Sequence, residues 1–334
     1  MRVLSRVFLA ALHFLLLFCT VTATRWRQWW EYEGINGPQF WGMVNKDWAL
    51  CKHGRQQSPI NIEPSRLLYD PNLKHLQLDS TLMKGLVTNT GNDITVELQG
   101  EGYSSVNVSL GPLSYRYRAA MIKFHFANVD RLGSEHRIAG RSFPAEMHVL
   151  AYNIDLYPNI TVALKGVKGI VIIAVFLEVG KETNKPFYAI SKELKRLQDR
   201  GNRAMVHHID IEQLLPKTDH YITYDGSLTQ PGCYETVTWI IYNKPALISR
   251  DQMTALRVLY SARVNKVDKG GESSAEVAVS PRVTSVTNVA LNARPVMPLN
   301  HRVVRTNINT RKRSRLCTME RDMYYQVNEI YLKT

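Results

Sequence analysis

Short segments in which apolar and polar residues alternate recur through the middle of this chain, and they confine it to a β-rich fold. DITVEL (93–98), YSSVNVSL (103–110), MIKFHFANV (121–129), AEMHVLAY (145–152), the stretch 170–178 and TVTWIIYN (236–243) all read as strands. Turn signals separate them, among them Asn-Thr-Gly-Asn (89–92) and Tyr-Asp-Gly-Ser (224–227). Helical periodicity is confined to SKELKRLQDR (191–200), SRDQMTALRVLYSA (249–262) and a short amphipathic pattern at Met323, Val327, Ile330 and Tyr331. This pattern predicts one mainly β domain with peripheral helices, not a βαβ protein. GIVIIAVFLEV (169–179) is bounded by Gly and broken by Glu178, so it reads as a buried strand.

The strand at 121–129 places unusual chemistry on one side. Residues two apart on a strand share a face. Lys123, His125 and Ala127 therefore face one way, and Phe124 and Phe126 the other. The strand at 145–152 presents a second histidine, His148.

The N-terminus is of a different kind. MRVLSR is short and basic, VFLAALHFLLLFCTV is an unbroken apolar run, and Val21-Thr22-Ala23 suits a small-residue cleavage site. Residues 1–23 read as a secretory signal peptide; the rival, a signal anchor, has a run too short to span a bilayer comfortably. Secretion leaves Cys51, Cys233 and Cys317, an odd number, implying one internal bridge and one leftover thiol with three pairings open. The sequons at Asn107 and Asn159 suit a secreted glycoprotein if both are exposed. The net charge of +13 is uneven: HRVVRTNINTRKRSR (301–315) holds six Lys or Arg and no acid. Its expected partner is a sulfated glycan or an acidic protein surface, and secretion disfavours nucleic acid. Residues 265–290, rich in Gly, Ser and Val, read as a flexible insertion in a domain spanning 24–305, with 306–334 a basic tail.

QQSPINI (56–62), FHF (124–126), GSEH (133–136), AEMH (145–148) and YDGSLTQPGCYETVTW (224–239) occur in an order that resembles the α-carbonic anhydrases. The resemblance runs from about Trp30 to Arg305. It implies a central, mostly antiparallel, ten-stranded twisted sheet with zinc at the bottom of a conical cleft. In that family three neutral imidazoles hold the zinc and keep a fourth position for water, whose pKa falls toward neutrality; this is the family's established chemistry rather than a deduction from this chain. His125 matches the first ligand and His148 the third. Ala127 stands at the second, and a methyl group cannot ligate a metal.

The resemblance also matches Glu146 to the carboxylate that orients the third histidine, Glu135 and Thr229 to the pair that aligns the zinc hydroxide, and Tyr32 to the buried tyrosine of that network. Lys123 occupies the place of a glutamine that accepts a proton from the first histidine; an ammonium only donates, and its charge faces the metal side. Asn92 replaces the proton-shuttle histidine, and an amide does not titrate near neutrality. Gln230 stands where a small threonine is usual. Cys51 and Cys233 match the family's secreted-member disulfide, which would close a loop of roughly 180 residues and contribute about 5 kcal/mol in the chain-entropy limit. Cys317 is left over, free or bonded to a partner, and Arg313 and Arg315 favour its thiolate.

Within the family the signal peptide, the segment PVMPLNHRVVRTNIN and the cysteine-bearing tail are similar to the secreted carbonic anhydrase-related proteins ten and eleven. That subgroup implies a catalytically inactive neuronal protein without zinc or other cofactor, binding neurexin-like cell-surface receptors. The alternative is a weak zinc-dependent hydratase that retains metal through His125 and His148.

Overall fold

A computed structural model describes residues 30–79, 82–100, 105–257 and 291–309. The expected leader (1–23), the insertion (265–290), the pattern at 323–331 and Cys317 lie outside these described residues. Among the described residues no helix is long and apolar enough to cross a membrane.

The strands in chain order are β1 (Asn61–Ile62), β2 (Leu68–Tyr69), β3 (Leu76–Leu78), β4 (Leu82–Asn89), β5 (Ile94–Gln99), β6 (Asn107–Leu110), β7 (Tyr117–Phe126), β8 (Arg137–Ile138), β9 (Ala145–Asn153), β10 (Ile170–Gly180), β11 (Arg203–Asp210), β12 (Tyr221–Gly226), β13 (Val237–Tyr242), β14 (Ala246–Ser249) and β15 (Arg305–Thr306). The main sheet is a 13-stranded twisted sheet whose continuous path runs β11-β4-β5-β7-β9-β10-β13-β12-β15-β2. Neighbours on that path are antiparallel except β10 with β13 and β15 with β2. The mainly β architecture expected from the alternating segments, with a mostly antiparallel main sheet, is present.

β10 lies deep in the sheet and is buried on both sides. Val171, Ile173, Val175 and Leu177 enter one core cluster, and Ile170, Ile172, Ala174 and Phe176 the other. Such a strand has no polar face to alternate with, which is why 170–177 is continuously apolar. β7 has one apolar face, with Ile122, Phe124 and Phe126 in the first cluster. Phe124 packs on Phe187 at 5.4 Å between ring centroids.

Phe187 belongs to the helix Lys185–Leu194, which starts and ends earlier than the pattern at 191–200 predicts. Asn184 caps it by accepting from the Phe187 amide, Pro186 sits in its first turn, and Phe187, Ile190 and Leu194 form its buried stripe. The charged run 192–196 has helical composition, but after Leu194 the chain closes tight turns, Arg196 to Glu193 and Leu197 to Leu194, and then reverses at Gly201. The second predicted helix is present over 250–257 of its range.

Cys51 and Cys233 are disulfide-bonded. Trp30, Tyr32, Trp41 and Trp48 pack around the bridge, so the aromatic start of the domain is packing material. The domain continues past the expected boundary at 305: Thr306 is sheet, Asn307 bonds Tyr221 and Asp219, and Ile308 is buried.

Candidate functional site

The pairing of β7 with β9 builds the floor of the cleft. Lys123 lies opposite His148, and His125 opposite Glu146. These side chains project from the face opposite Phe124 and Phe126, as the alternation predicts. Ala127 follows the end of β7, bridges to Leu291 and is fully buried. Its carbonyl accepts from Arg257 Nε at 2.7 Å, which fixes the backbone there.

A continuous polar chain runs beneath the floor. Ser58 Oγ accepts from Tyr224 at 2.9 Å, and the Tyr224 oxygen is 2.7 Å from His136 Nε2. His136 Nδ1 meets Glu146 Oε1 at 2.7 Å, and the same oxygen lies 2.8 Å from His148 Nε2. Glu146 thus orients His148 from behind. Burial alone would raise the Glu146 carboxyl, but His136 and His148 overcome it and hold it well below the usual range.

Glu135 sits between the two cleft histidines. Its Oε1 accepts from the Arg294 amide at 2.9 Å and lies 3.5 Å from His125 Nδ1; its Oε2 is 3.9 Å from His148 Nδ1. Oε2 is buried and makes no hydrogen bond of regular geometry. Burial pushes the Glu135 carboxyl up against the opposing pull of His125, the Arg294 amide and, more weakly, Thr229. Burial pushes both imidazoles down, with Glu135 opposing at His125 and Glu146 at His148. Tyr32 stands edge-on to His125 at 6.5 Å between centroids.

Comparison with known proteins identifies the family. The family model for eukaryotic-type carbonic anhydrase matches residues 36–308. The chain belongs to the carbonic anhydrase family. It is 36% identical over 282 residues to "Putative carbonic anhydrase-like protein 2" of Caenorhabditis elegans, covering 83% of this chain and 79% of the relative. It is 34% identical over 348 residues to "Putative carbonic anhydrase-like protein 1" of the same organism, covering 84% of this chain and 90% of the relative.

Lys123, Gln230, His125 and Asn92 each have a defined partner in this chain. Lys123 Nζ donates to Asp93 Oδ2 at 3.1 Å and to Gln230 Oε1 at 2.6 Å. Its charge is therefore paired with Asp93, and it still disfavours positive charge at His148. Gln230 also donates to Asp93, so the enlarged side chain is part of a latch across the cleft. His125, lacking a glutamine acceptor, instead has Nδ1 2.8 Å from the Asn292 carbonyl. Asn92 Nδ2 donates to the Trp30 carbonyl at 2.8 Å.

A carbonic anhydrase zinc needs three imidazoles converging on one point. Here position 127 offers a buried methyl, so that donor set does not fit these residues.

Asn292, Arg294 and Asp93 carry the site although no sequence pattern marks them. Asn292 clamps β7 with its whole side chain, accepting from the Phe126 amide at 2.6 Å and donating to the Phe124 carbonyl at 2.9 Å. Arg294 is buried, donating to Gln57, to the Ser58 carbonyl and to the Cys51 carbonyl. A buried arginine beside QQSPINI in space, and far from it in sequence, leaves no local signal. His136 is hydrogen-bonded to Glu146 and Tyr224.

Proposed function

We propose that this chain is a secreted, catalytically inactive carbonic anhydrase-related protein that binds a neuronal cell-surface receptor of the neurexin kind. The observation that carries the inactive half is Ala127: the second ligand position of the cleft is a methyl group sealed from solvent. The latch of Lys123, Asp93 and Gln230, and the use of Asn92 as a backbone tie, support the same reading. Catalytic zinc held in the family's manner is lost with Ala127.

The receptor half rests on the leader at 1–23 and on the tail with Cys317, a candidate for a covalent link to the partner. Within the basic segment 301–315, Arg302 donates to four backbone carbonyls and Arg305 pairs with Asp70 at 3.0 Å. Those two are occupied in the fold, so capture of sulfated glycans falls to Arg311, Lys312, Arg313 and Arg315. Of the two sequons, Asn159 is exposed; its Oδ1 caps the helix Ile160–Ala163, and its amide nitrogen remains available for a glycan. Asn107 is half-buried on β6, with Nδ2 donating to Asp79 at 3.0 Å. Asn159 is therefore the favoured glycan site.

The test has two arms. The purified full chain should hydrate CO2 at the buffer rate; a sulfonamide-sensitive excess would establish the alternative, a weak zinc-dependent hydratase, for which the placement of Glu135 and Glu146 around two histidines is the supporting feature. Capture by a neurexin ectodomain should weaken in Cys317→Ser and on removal of residues 310–334. The deletion starts at 310 because one from 306 would remove Thr306 and buried Ile308. Unchanged capture by both variants would overturn the tail's role.

A further inference from the structure

We infer that an arginine-lined pocket outside the carbonic anhydrase cleft docks a partner protein through an acidic side chain set between apolar ones. The pocket has a volume of about 580 Å³ and lies between Asp130 and Arg131, the turn 140–144, the end of β10 at Glu178 and Val179, and Arg250. None of the cleft residues lines it.

Its carboxylates are already paired. Arg141 Nη2 donates to Glu178 Oε1 at 2.9 Å. Arg250 Nη1 donates to both oxygens of Asp130, at 3.2 and 2.9 Å, and Arg257 Nη2 reaches the same carboxylate at 2.6 Å. Arg131 differs from these. It is exposed, it lines the pocket, and it has no ion pair or hydrogen bond among the described residues. Four guanidiniums therefore stand against two carboxylates, which leaves a net charge of +2 around the pocket. Arg141 and Arg250 each commit one nitrogen to their partners, and Arg131 keeps its whole fork free. The spare capacity is in donors, so the fitting ligand is an anion. A guanidinium fork matches a carboxylate with two parallel hydrogen bonds. The Arg141 guanidinium is also held in place, 4.9 Å over the ring centroid of buried Phe143.

The rim says which kind of anion. Val129 and Leu132 flank Asp130 and Arg131 in a turn closed by the Leu132 amide on the Val129 carbonyl, and both are exposed. Leu247, also exposed, is the register partner of Glu178 where β10 pairs with β14, so the two side chains share a face. Arginine at a concave centre with apolar side chains around it is the composition of protein interfaces. A sulfated polysaccharide fits less well. Its continuous negative charge would meet Asp130 and Glu178 as well as the arginines, and it would leave the apolar rim unused. One carboxylate on Arg131, with apolar neighbours against Val129 and Leu132, uses both features. This surface goes beyond the proposed function. It involves neither the cleft nor residues 310–334, and it stands or falls independently of the receptor named there.

The test is fluorescence anisotropy of a labelled peptide, Leu-Asp-Leu-Glu-Leu with both ends capped, titrated with the purified full chain at about 0.15 M salt, where long-range surface attraction is screened. Saturable binding is expected, and the uncharged peptide Leu-Asn-Leu-Gln-Leu should not bind. Arg131→Ala should weaken binding about tenfold, the effect of losing one charge-assisted pair, with the melting temperature unchanged because Arg131 has no partner in the fold. Lys195→Ala removes an exposed positive charge elsewhere and should leave binding as it was. Absence of saturable binding, equal binding of the uncharged peptide, or equal losses in Arg131→Ala and Lys195→Ala would overturn the inference. So would a heparin oligosaccharide that binds through Arg131 where the peptide does not, since the pocket would then serve a polysaccharide.

Discussion

The two faces of β7 have different surroundings although they share one backbone. On one face Ile122, Phe124 and Phe126 sit in a close-packed core under the helix Lys185–Leu194. On the other, Lys123, His125 and Ala127 line a cleft of polar, hydrogen-bonded side chains. The difference teaches where the fold's stability resides. A core position is constrained by its neighbours' volume. A cleft position is constrained by its polar partners: Lys123 has Asp93 and Gln230 to meet its donors, and His125 has the Asn292 carbonyl.

The widest gap between the faces is expected at Phe124. Phe124→Ala removes a fully buried ring from the contact with Phe187 and should lower the unfolding free energy by about 3–5 kcal/mol. Chemical denaturation measures this, and a loss no larger than that of ordinary surface changes would break the assignment of stability to this face.

Asp93→Asn tests whether the cleft face has its own internal bond. Asp93 is almost fully buried and the Lys123 side chain is 17% exposed, and removing the carboxylate strands the ammonium. A loss of about 3 kcal/mol is expected, the low end for a broken buried pair because Lys123 can reach the cleft solvent. Burial alone would raise the Asp93 carboxyl; attraction to Lys123 and hydrogen bonds from Thr90, Lys123 and Gln230 outweigh it and hold it below the ordinary value. A carboxyl depressed in the folded state stabilises fully above its unfolded pKa, about 3.9, and that contribution disappears as pH falls through the folded value. The variant should therefore be less stable at pH 7 and show a shallower loss of stability below about pH 4. An identical acid slope in both proteins would mean that the pair is not formed in solution.

Ala127→His places an imidazole on the cleft face. The site is sealed, so the larger side chain should cost about 1–3 kcal/mol of stability. The expected gain is one tightly held zinc per chain and hydration above the buffer rate. Adding Lys123→Gln alone would strand Asp93, so the fuller reversal combines Lys123→Gln with Asp93→Asn. Metal content by elemental analysis decides the matter: a variant without zinc would show that the cleft has drifted beyond position 127.

Much of this architecture was legible in the sequence, for physical reasons that also mark where legibility ends. Period-two alternation placed β5, β7 and β9, and separated Lys123, His125 and Ala127 from Phe124 and Phe126, because a strand's side chains alternate whatever packs on them. The continuous run in β10 was legible as a buried strand because it lacked a polar side. The helix near 191–200 was misplaced because charged residues with good helix propensity follow its true end, while the start signal is the Asn184 and Pro186 pair. Asp93 beneath Lys123, Asn292 beside His125, and Arg294 behind Glu135 were not legible. Each is a single long-range contact, 30, 167 and 159 residues apart respectively, and no local period reports it.

The smallest expected effect is also the most specific to the reassignment of the cleft. If Asn92 were a degraded shuttle with no remaining role, Asn92→Ala would be neutral. In the structure its Nδ2 donates to the Trp30 carbonyl, joining the turn before β5 to the aromatic cluster around the disulfide. Losing one such partly buried hydrogen bond should cost about 1 kcal/mol and lower the melting temperature by a few degrees. Asn92→His should cost a similar amount, since an imidazole at that position cannot place a donor where the amide does without moving the turn. A neutral Asn92→Ala would mean that this residue is idle, whereas a matched loss in both variants would show that Asn92 holds the N-terminal segment in place.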